Sequence, residues 1–298
     1  MQNDAPSPKQ PIFIPKREQV FIWAMAGVGL LALVALIATP AVREWFVSYS
    51  DELTSDDFSR DEFGNPDDCN VAGLNIHGSV VTYGGEAGAS AAESQVFETA
   101  SEDLVFALQR ADEDDSIKAV LLDVDSYGGS PVGGQEMAAA VKRFSKPSVA
   151  LIRQAGASAA YWASSGADVI FASALSDVGG IGVTISYLEN AGFNAKEGFV
   201  YRQLSTGKYK DTLDPDKPLT KDEQLLIMRD LDIIHEQFVQ AVAANRNLSV
   251  ETVRTLSDGA TMLGEAARQH KLIDRIGSYN EVEQYLKELI GEDVEYCW

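Results

Sequence analysis

Ser158 stands in the run Gly156-Ala157-Ser158-Ala159-Ala160-Tyr161-Trp162, and a later polar stretch, Ser205-Thr206-Gly207-Lys208-Tyr209-Lys210-Asp211, carries two lysines. A serine hydroxyl is a weak nucleophile until a neighbouring base takes its proton, and a desolvated lysine can be that base in place of histidine. The chain has three histidines, His77, His235 and His270, and none sits in a serine-hydrolase motif. Acyl transfer further needs donors for the oxyanion that forms on the attacked carbonyl. The amide of Ala159, beside Ser158 at an expected helix start, is one candidate, because first-turn amides lack intrahelical acceptors. The amide of Gly129, in the turn Tyr127-Gly128-Gly129-Ser130, is the other, since glycine lets a substrate approach the backbone closely. Serine–lysine hydrolysis is the chemistry these residues suggest.

Taken singly, each piece has a plainer reading. A serine at a helix start is far more often an N-cap than a nucleophile. A Gly-Gly pair after a strand is usually a turn, and a lysine in a polar loop is usually solvated, so Lys208 and Lys210 both remain open at this point. His77 reads as structural or surface, and Tyr161 and Trp162 as core. Neither His235, within a long helical pattern, nor His270, near a helix end, shows a partner pattern.

The elements that must position these residues follow from periodicity. Apolar runs predict strands over 71–76, 117–124, 148–152, 169–172 and 178–183. Helical patterns fall over 93–110, 132–144 and from Ser158 onward. Strands alternating with helices at this spacing indicate a mainly parallel sheet with crossover helices. Thr220 followed three residues later by Glu223 forms a capping box that opens a helix to about 245. Shorter helices are expected over 250–256, 263–269 and 280–289. No internal repeat is found, so 70–298 reads as one catalytic domain.

Between Gln19 and Val42 no residue is charged, and the run is long and apolar enough for a membrane-spanning helix. Lys9, Lys16 and Arg17 precede it, whereas beyond Arg43 come Glu44, Asp51, Glu52, Asp56 and Asp57. The positive-inside rule then gives a cytoplasmic segment (1–19), a single-pass anchor (20–42), an acidic linker (43–69) and a catalytic domain outside the cytoplasmic membrane. A cleaved secretory signal competes with this reading, but residues 38–41 offer no convincing small-x-small cleavage site. The formal net charge is −21; residues 1–43 are net positive, so the part beyond the span is more acidic still. No basic stripe exists to neutralise phosphates, so a nucleic-acid partner is excluded. Cys69 and Cys297 could pair in an oxidising compartment but lie near the two ends of the exported part; two cysteines make neither a disulfide framework nor a metal site, and no role is assigned to them. No cofactor or metal ion is expected.

The ordered set Ser126-Tyr127-Gly128-Gly129, Gly156-Ala157-Ser158-Ala159-Ala160-Tyr161, Gly179-Gly180-Ile181-Gly182-Val183 and Gly207-Lys208-Tyr209-Lys210-Asp211 resembles the signal peptide peptidase A family, the serine–lysine peptidases of family S49. The run Asp258-Gly259-Ala260-Thr261 to Leu272-Ile273-Asp274-Arg275-Ile276-Gly277 resembles it too, so the likeness covers roughly residues 70–290. The resemblance implies an α/β fold of the Clp-protease/crotonase type. By motif it makes Ser158 the nucleophile and Lys210 the general base, leaves Lys208 outside the matched position, and assigns Gly129 and the Ala159 backbone to the oxyanion hole. It further implies hydrophobic peptide substrates such as signal-peptide remnants, in the bilayer where the anchor resides. Homo-oligomeric rings in which serine and lysine come from neighbouring subunits are implied as well. Two positions depart from the family pattern: Tyr127 replaces a usual proline, and Gly180 replaces a serine that helps orient the lysine. A catalytically silent oligomeric membrane scaffold of the same fold is the alternative.

Overall fold

Residues Ala119 to Val124 are buried on both faces of their strand, as a near-continuous apolar run in the middle of a parallel sheet must be. The computed structural model describes residues 69–84 and 97–298. The expected cytoplasmic segment, membrane anchor and linker as far as residue 68 lie outside the described residues. Among those described, no helix is long and apolar enough to cross a membrane.

The chain runs β1 (Val71–Val81), β2 (Glu98–Ala100), α1 (Ser101–Glu113), β3 (Ala119–Gly129), α2 (Pro131–Arg143), β4 (Ser148–Ala157), α3 (Ala159–Ser164), β5 (Val169–Ala172) and β6 (Asp177–Gly179). It continues with α4 (Ala191–Glu197), α5 (Lys221–Asn245), α6 (Val250–Thr255), β7 (Thr261–Leu263), α7 (Gly264–Gln269), β8 (Arg275–Ile276), α8 (Tyr279–Ile290) and β9 (Tyr296–Cys297). The strands join in the order β2-β1-β3-β4-β5-β8, with β9 on β1 and β6 between β4 and β7. All pairings are parallel except β6 with β7. A mixed α/β fold with a mainly parallel sheet is therefore what the alternating pattern builds.

Two apolar layers flank the sheet. The larger, including Ile76, Leu122, Val124, Met137 and Ile152, lies under α1, α2, α3 and α5. The smaller, including Leu121, Leu151 and Phe171, is covered by Val282 and Leu286 of α8. Trp162 of α3 stacks on Phe238 of α5 with centroids 4.6 Å apart and planes 7° from parallel. Buried Tyr161 donates its hydroxyl to the Leu272 carbonyl at 2.8 Å. Both aromatics are core.

The register of the central strands shifts near their C-terminal ends, between His77 and Ser79 in β1–β3 and between Val124 and Ser126 in β3–β4. Such irregularities bend a strand and re-aim the residues beyond the bend. Here those residues are the ends of β3 and β4, which carry Gly128-Gly129 and lead into Ser158. β4 changes neighbour at the same level: β5 pairs with it from Val149 to Ile152, and β6 from Ala155 to Ala157.

Two expectations need correction, and a pairing left open is settled. The helix expected over 93–110 begins at Ser101, because Glu98–Ala100 pairs with β1 as a short strand; Val96 lies outside the described residues. The strand expected over 178–183 ends at Gly179, where positive φ angles at Gly179 and Gly180 turn the chain out of the sheet. Cys69 and Cys297 form a disulfide with Cα atoms 5.6 Å apart. β9 beside β1 brings these distant residues together.

Candidate active site

Ser158 joins the end of β4 to the start of α3 with φ 53° and ψ −127°. A serine in this left-handed region is strained by about 1–3 kcal/mol and persists only where its surroundings impose it. The surroundings are visible. Its amide donates to the Gly179 carbonyl of β6 at 2.8 Å, and its carbonyl accepts from the Trp162 amide at 2.9 Å. Ala157, Ala159 and Ala160 are buried on either side. Ser158 occupies the N-cap position of α3, yet its side chain makes no capping hydrogen bond. The plain N-cap role is thus not what the hydroxyl performs. A strained strand-to-helix turn presenting a serine side chain is the geometry of a nucleophile elbow.

The glycine turn after β3 lies against this elbow. Gly128 has φ +103°, and a Cβ there would come within 2.7 Å of Ser158 Cβ and 2.9 Å of the Ala159 nitrogen. The turn is tied down by Ser126, whose hydroxyl donates to the Gly78 carbonyl at 2.6 Å and accepts from the Gly128 amide at 3.0 Å. Gly129 follows in register with Val80 of β1. The structure therefore gathers Ser158, the Ala159 amide and the Gly128-Gly129 turn at one end of the sheet. Gly180 also abuts the site: with φ +55°, its missing Cβ would stand 3.3 Å from Ala157 Cβ and 3.4 Å from the Ser158 nitrogen. A serine at 180 would reach the elbow, but only in a backbone conformation that favours glycine.

A groove of about 500 Å³ opens at Ser158. It is lined by residues of the stretches after β6 and before β7, among them Gly180, Gly182 and Gly259, and by the face of α5 that carries Met228, Leu231, Asp232 and His235. His235 Nε2 lies 3.1 Å from the Ser257 carbonyl and is fixed there as a wall residue. Sequence reasoning missed this wall. The helical spacing of these four residues was legible, but which face of α5 meets the serine depends on long-range packing.

His77 belongs elsewhere. It faces Asp123 at 3.4 Å and, with Phe97 and Thr99, lines a separate groove. Buried Asp123 also accepts from the Tyr279 hydroxyl at 2.6 Å and lies 3.3 Å from Arg153. Burial first, then this bond to Asp123, pushes the Tyr279 hydroxyl up to about 12. His270, at the end of α7, is exposed.

Both lysines sit in the segment between β6 and α5. Lys208 pairs with Asp222 at 2.5 Å, which holds its ammonium above the usual lysine range, the wrong direction for a base. Lys210 is exposed in a turn, its amide bonded to the Gly207 carbonyl at 3.2 Å. No hydrogen bond joins Lys210 to Ser158, and Lys210 does not line the serine groove. The segment from 182 to 220 buries none of its residues, α4 included, and exposes Leu188, Phe193, Phe199, Val200 and Leu204, the last at 99%.

The sequence profile of peptidase family S49 matches residues 140–293, more than half of the chain. The chain belongs to peptidase family S49. The matched region of this S49 chain contains Ser158, Gly180 and Lys210, and begins after the Gly128-Gly129 turn. A Methanocaldococcus jannaschii chain named as a candidate protease is 34% identical over 195 residues, covering 63% of each chain. An Enterococcus faecium chain named as a candidate signal peptide peptidase is 33% identical over 177 residues, or 58% of this chain and 51% of that one. Protease 4 of Haemophilus influenzae is 28% identical over 74% of this chain and 35% of its own. The S49 chain thus spans about half to under two thirds of the first two relatives' lengths. Among solved structures, a mutant of the membrane-bound stomatin-specific protease 1510-N overlays with a TM-score of 0.45 at 12% identity, over 72% of this chain and 84% of that one.

Proposed function

We propose that this chain is a membrane-anchored serine endopeptidase of the Clp-protease/crotonase fold type that cleaves hydrophobic peptides such as signal-peptide remnants. The observation that carries the reading is the strained Ser158 elbow, whose hydroxyl is left out of the helix cap and opens on a groove. In the proposed reaction neutral Lys210 takes the Ser158 proton and Oγ bonds to the peptide carbonyl carbon. The amides of Ala159 and Gly129 receive the oxyanion. The C–N bond then breaks, the amine leaves with the proton from Lys210, and water hydrolyses the acyl-serine.

A base must be neutral, and removal from water favours the neutral amine, so Lys210 needs a drier setting than its exposed turn. A neighbouring copy supplies one. The apolar side chains exposed along 182–220 suit burial between subunits, and Lys210 would then serve the serine of the next chain. The Cys69–Cys297 disulfide fits a catalytic domain outside the cytoplasm, where disulfides persist. The anchor at 20–42 rests on its uncharged apolar run.

The exposure of Lys210 and the glycine at 180 favour one second reading, a silent scaffold of the same fold. A serine-reactive fluorophosphonate applied to the assembled chain separates the two. The peptidase reading expects labelling at Ser158 that disappears in Lys210→Ala. An assembled oligomer that neither labels nor cleaves any peptide is a scaffold.

A further inference from the structure

The groove at Ser158 is lined by both apolar and acidic side chains. Met228 and Leu231 on α5, together with Val183, give it hydrocarbon surface, while Asp232 on α5 and Asp258 in the turn before β7 add two carboxylates. No lysine or arginine lines it. Among the described residues neither carboxylate is in an ion pair: Asp258 accepts the Ala260 amide at 2.9 Å through one oxygen, and Asp232 is exposed. The residues of this chain that line the groove therefore bring carboxylates and no lysine or arginine to answer them.

A purely apolar side chain would satisfy the apolar lining and leave the two carboxylates unused. A long methylene stem ending in a cation would satisfy both, because lysine and arginine lay their stems on apolar surface and keep their heads at a polar edge. The volume of about 500 Å³ accommodates such a side chain extended. The geometry points to a preference for peptides with lysine or arginine next to the scissile bond, set by Asp232 and Asp258. This rests on the peptidase reading and narrows its substrate class, from hydrophobic peptides to hydrophobic peptides cut beside a basic residue. His235, held by the Ser257 carbonyl, fixes the α5 wall against the turn that carries Asp258.

The test uses the full chain in detergent with matched apolar fluorogenic peptides that carry lysine, norleucine or glutamate beside the scissile bond. A fourth peptide has its lysine moved several residues away, and cut sites are read by mass spectrometry. The expected kcat/KM ratio of adjacent lysine to norleucine is about fivefold to tenfold. It shrinks as salt is raised, because the two carboxylates are exposed. The distant-lysine peptide shows no such gain, which separates the two carboxylates from the general acidity of the surface. In the Asp232→Asn, Asp258→Asn double variant the lysine-to-norleucine ratio falls to about 1, and Asp232→Lys shifts preference toward the glutamate peptide. A wild-type ratio at or below 1, or one that the double variant keeps, overturns the proposal while cleavage of the norleucine peptide leaves the peptidase reading standing. Absence of cleavage of every peptide, with no fluorophosphonate labelling at Ser158, removes both.

Discussion

The elbow at 157–160 and the segment at 182–220 carry the two halves of the proposed dyad, and they are built in opposite ways. The elbow is enclosed by β3, β6 and α3, with alanines buried on both sides of a serine forced into a left-handed conformation. The segment buries nothing and turns its large apolar side chains outward. One chain suffices to shape the nucleophile, because strain at Ser158 is balanced by packing the chain itself provides. One chain gives the lysine no interior, and a base that must be dry needs one. The serine thus has its environment from the fold, while under the proposed reading the lysine would have to take its own from whatever packs on the fold.

The most severe way to break this contrast is to divide the dyad. Ser158→Ala and Lys210→Ala should each lower kcat/KM by at least about a thousandfold. Co-expressing the two variants should return measurable activity, since a mixed assembly pairs an intact serine with a neighbour's intact lysine. A mixture as silent as its parents would mean that serine and lysine come from the same chain. Next in size, Trp162→Ala should cost about 3–4 kcal/mol in urea denaturation, because it removes the ring stacked on Phe238 beneath the elbow. Gly128→Ala should come after it with about a hundredfold loss in kcat/KM, as its methyl would press on Ser158 Cβ and displace the turn.

The foot of α5, where the exposed segment rejoins the core, offers a gentler probe. Glu223 accepts from Lys217 and from the Thr220 amide and hydroxyl, and these bonds, Lys217 first, lower its carboxyl from 4.5 to about 2. A carboxyl depressed by folding stabilises above its unfolded value and loses that contribution as pH falls through the folded one. Glu223→Gln should therefore cost about 1 kcal/mol at pH 7, and the gap in Tm should close between about pH 4.5 and 2. A gap that persists at pH 2 would assign the stabilisation to packing instead. Smallest of all for the single chain, Leu204→Ser should change stability by less than about 0.5 kcal/mol. Its effect belongs to assembly, and sedimentation velocity should show smaller species.

Local signals carried well in this sequence. The strand at Val169–Ala172 and the capped helix opening at Thr220 are where an apolar run and a capping box put them. The elbow was legible as a strand followed by a small-residue helix start, and the Gly-Gly turn as its companion. The features that escaped depend on distance along the chain. The Cys69–Cys297 bond spans 228 residues and needs β9 beside β1, a pairing that no two-residue strand announces. The α5 wall of the groove depends on how that helix packs on the core, where Phe238 stacks on Trp162. β1 extends past residue 76 to Val81 because the register shift near Gly78 lets the pairing resume beyond it.

The disulfide also decides how the domain would bear a pull. Cys69 precedes β1 by two residues, so any tension arriving from the upstream chain meets a covalent bond to β9 before it meets the hydrogen bonds of the sheet. β9 lies parallel to β1, and the two are joined at both backbone and sulfur. A tug that would otherwise peel β1 from β3 is shared with the C-terminal end of the chain. A domain held on a tether could then be jostled at its point of attachment while the bulge, the glycine turn and the elbow at the far end of the same strands keep their shape.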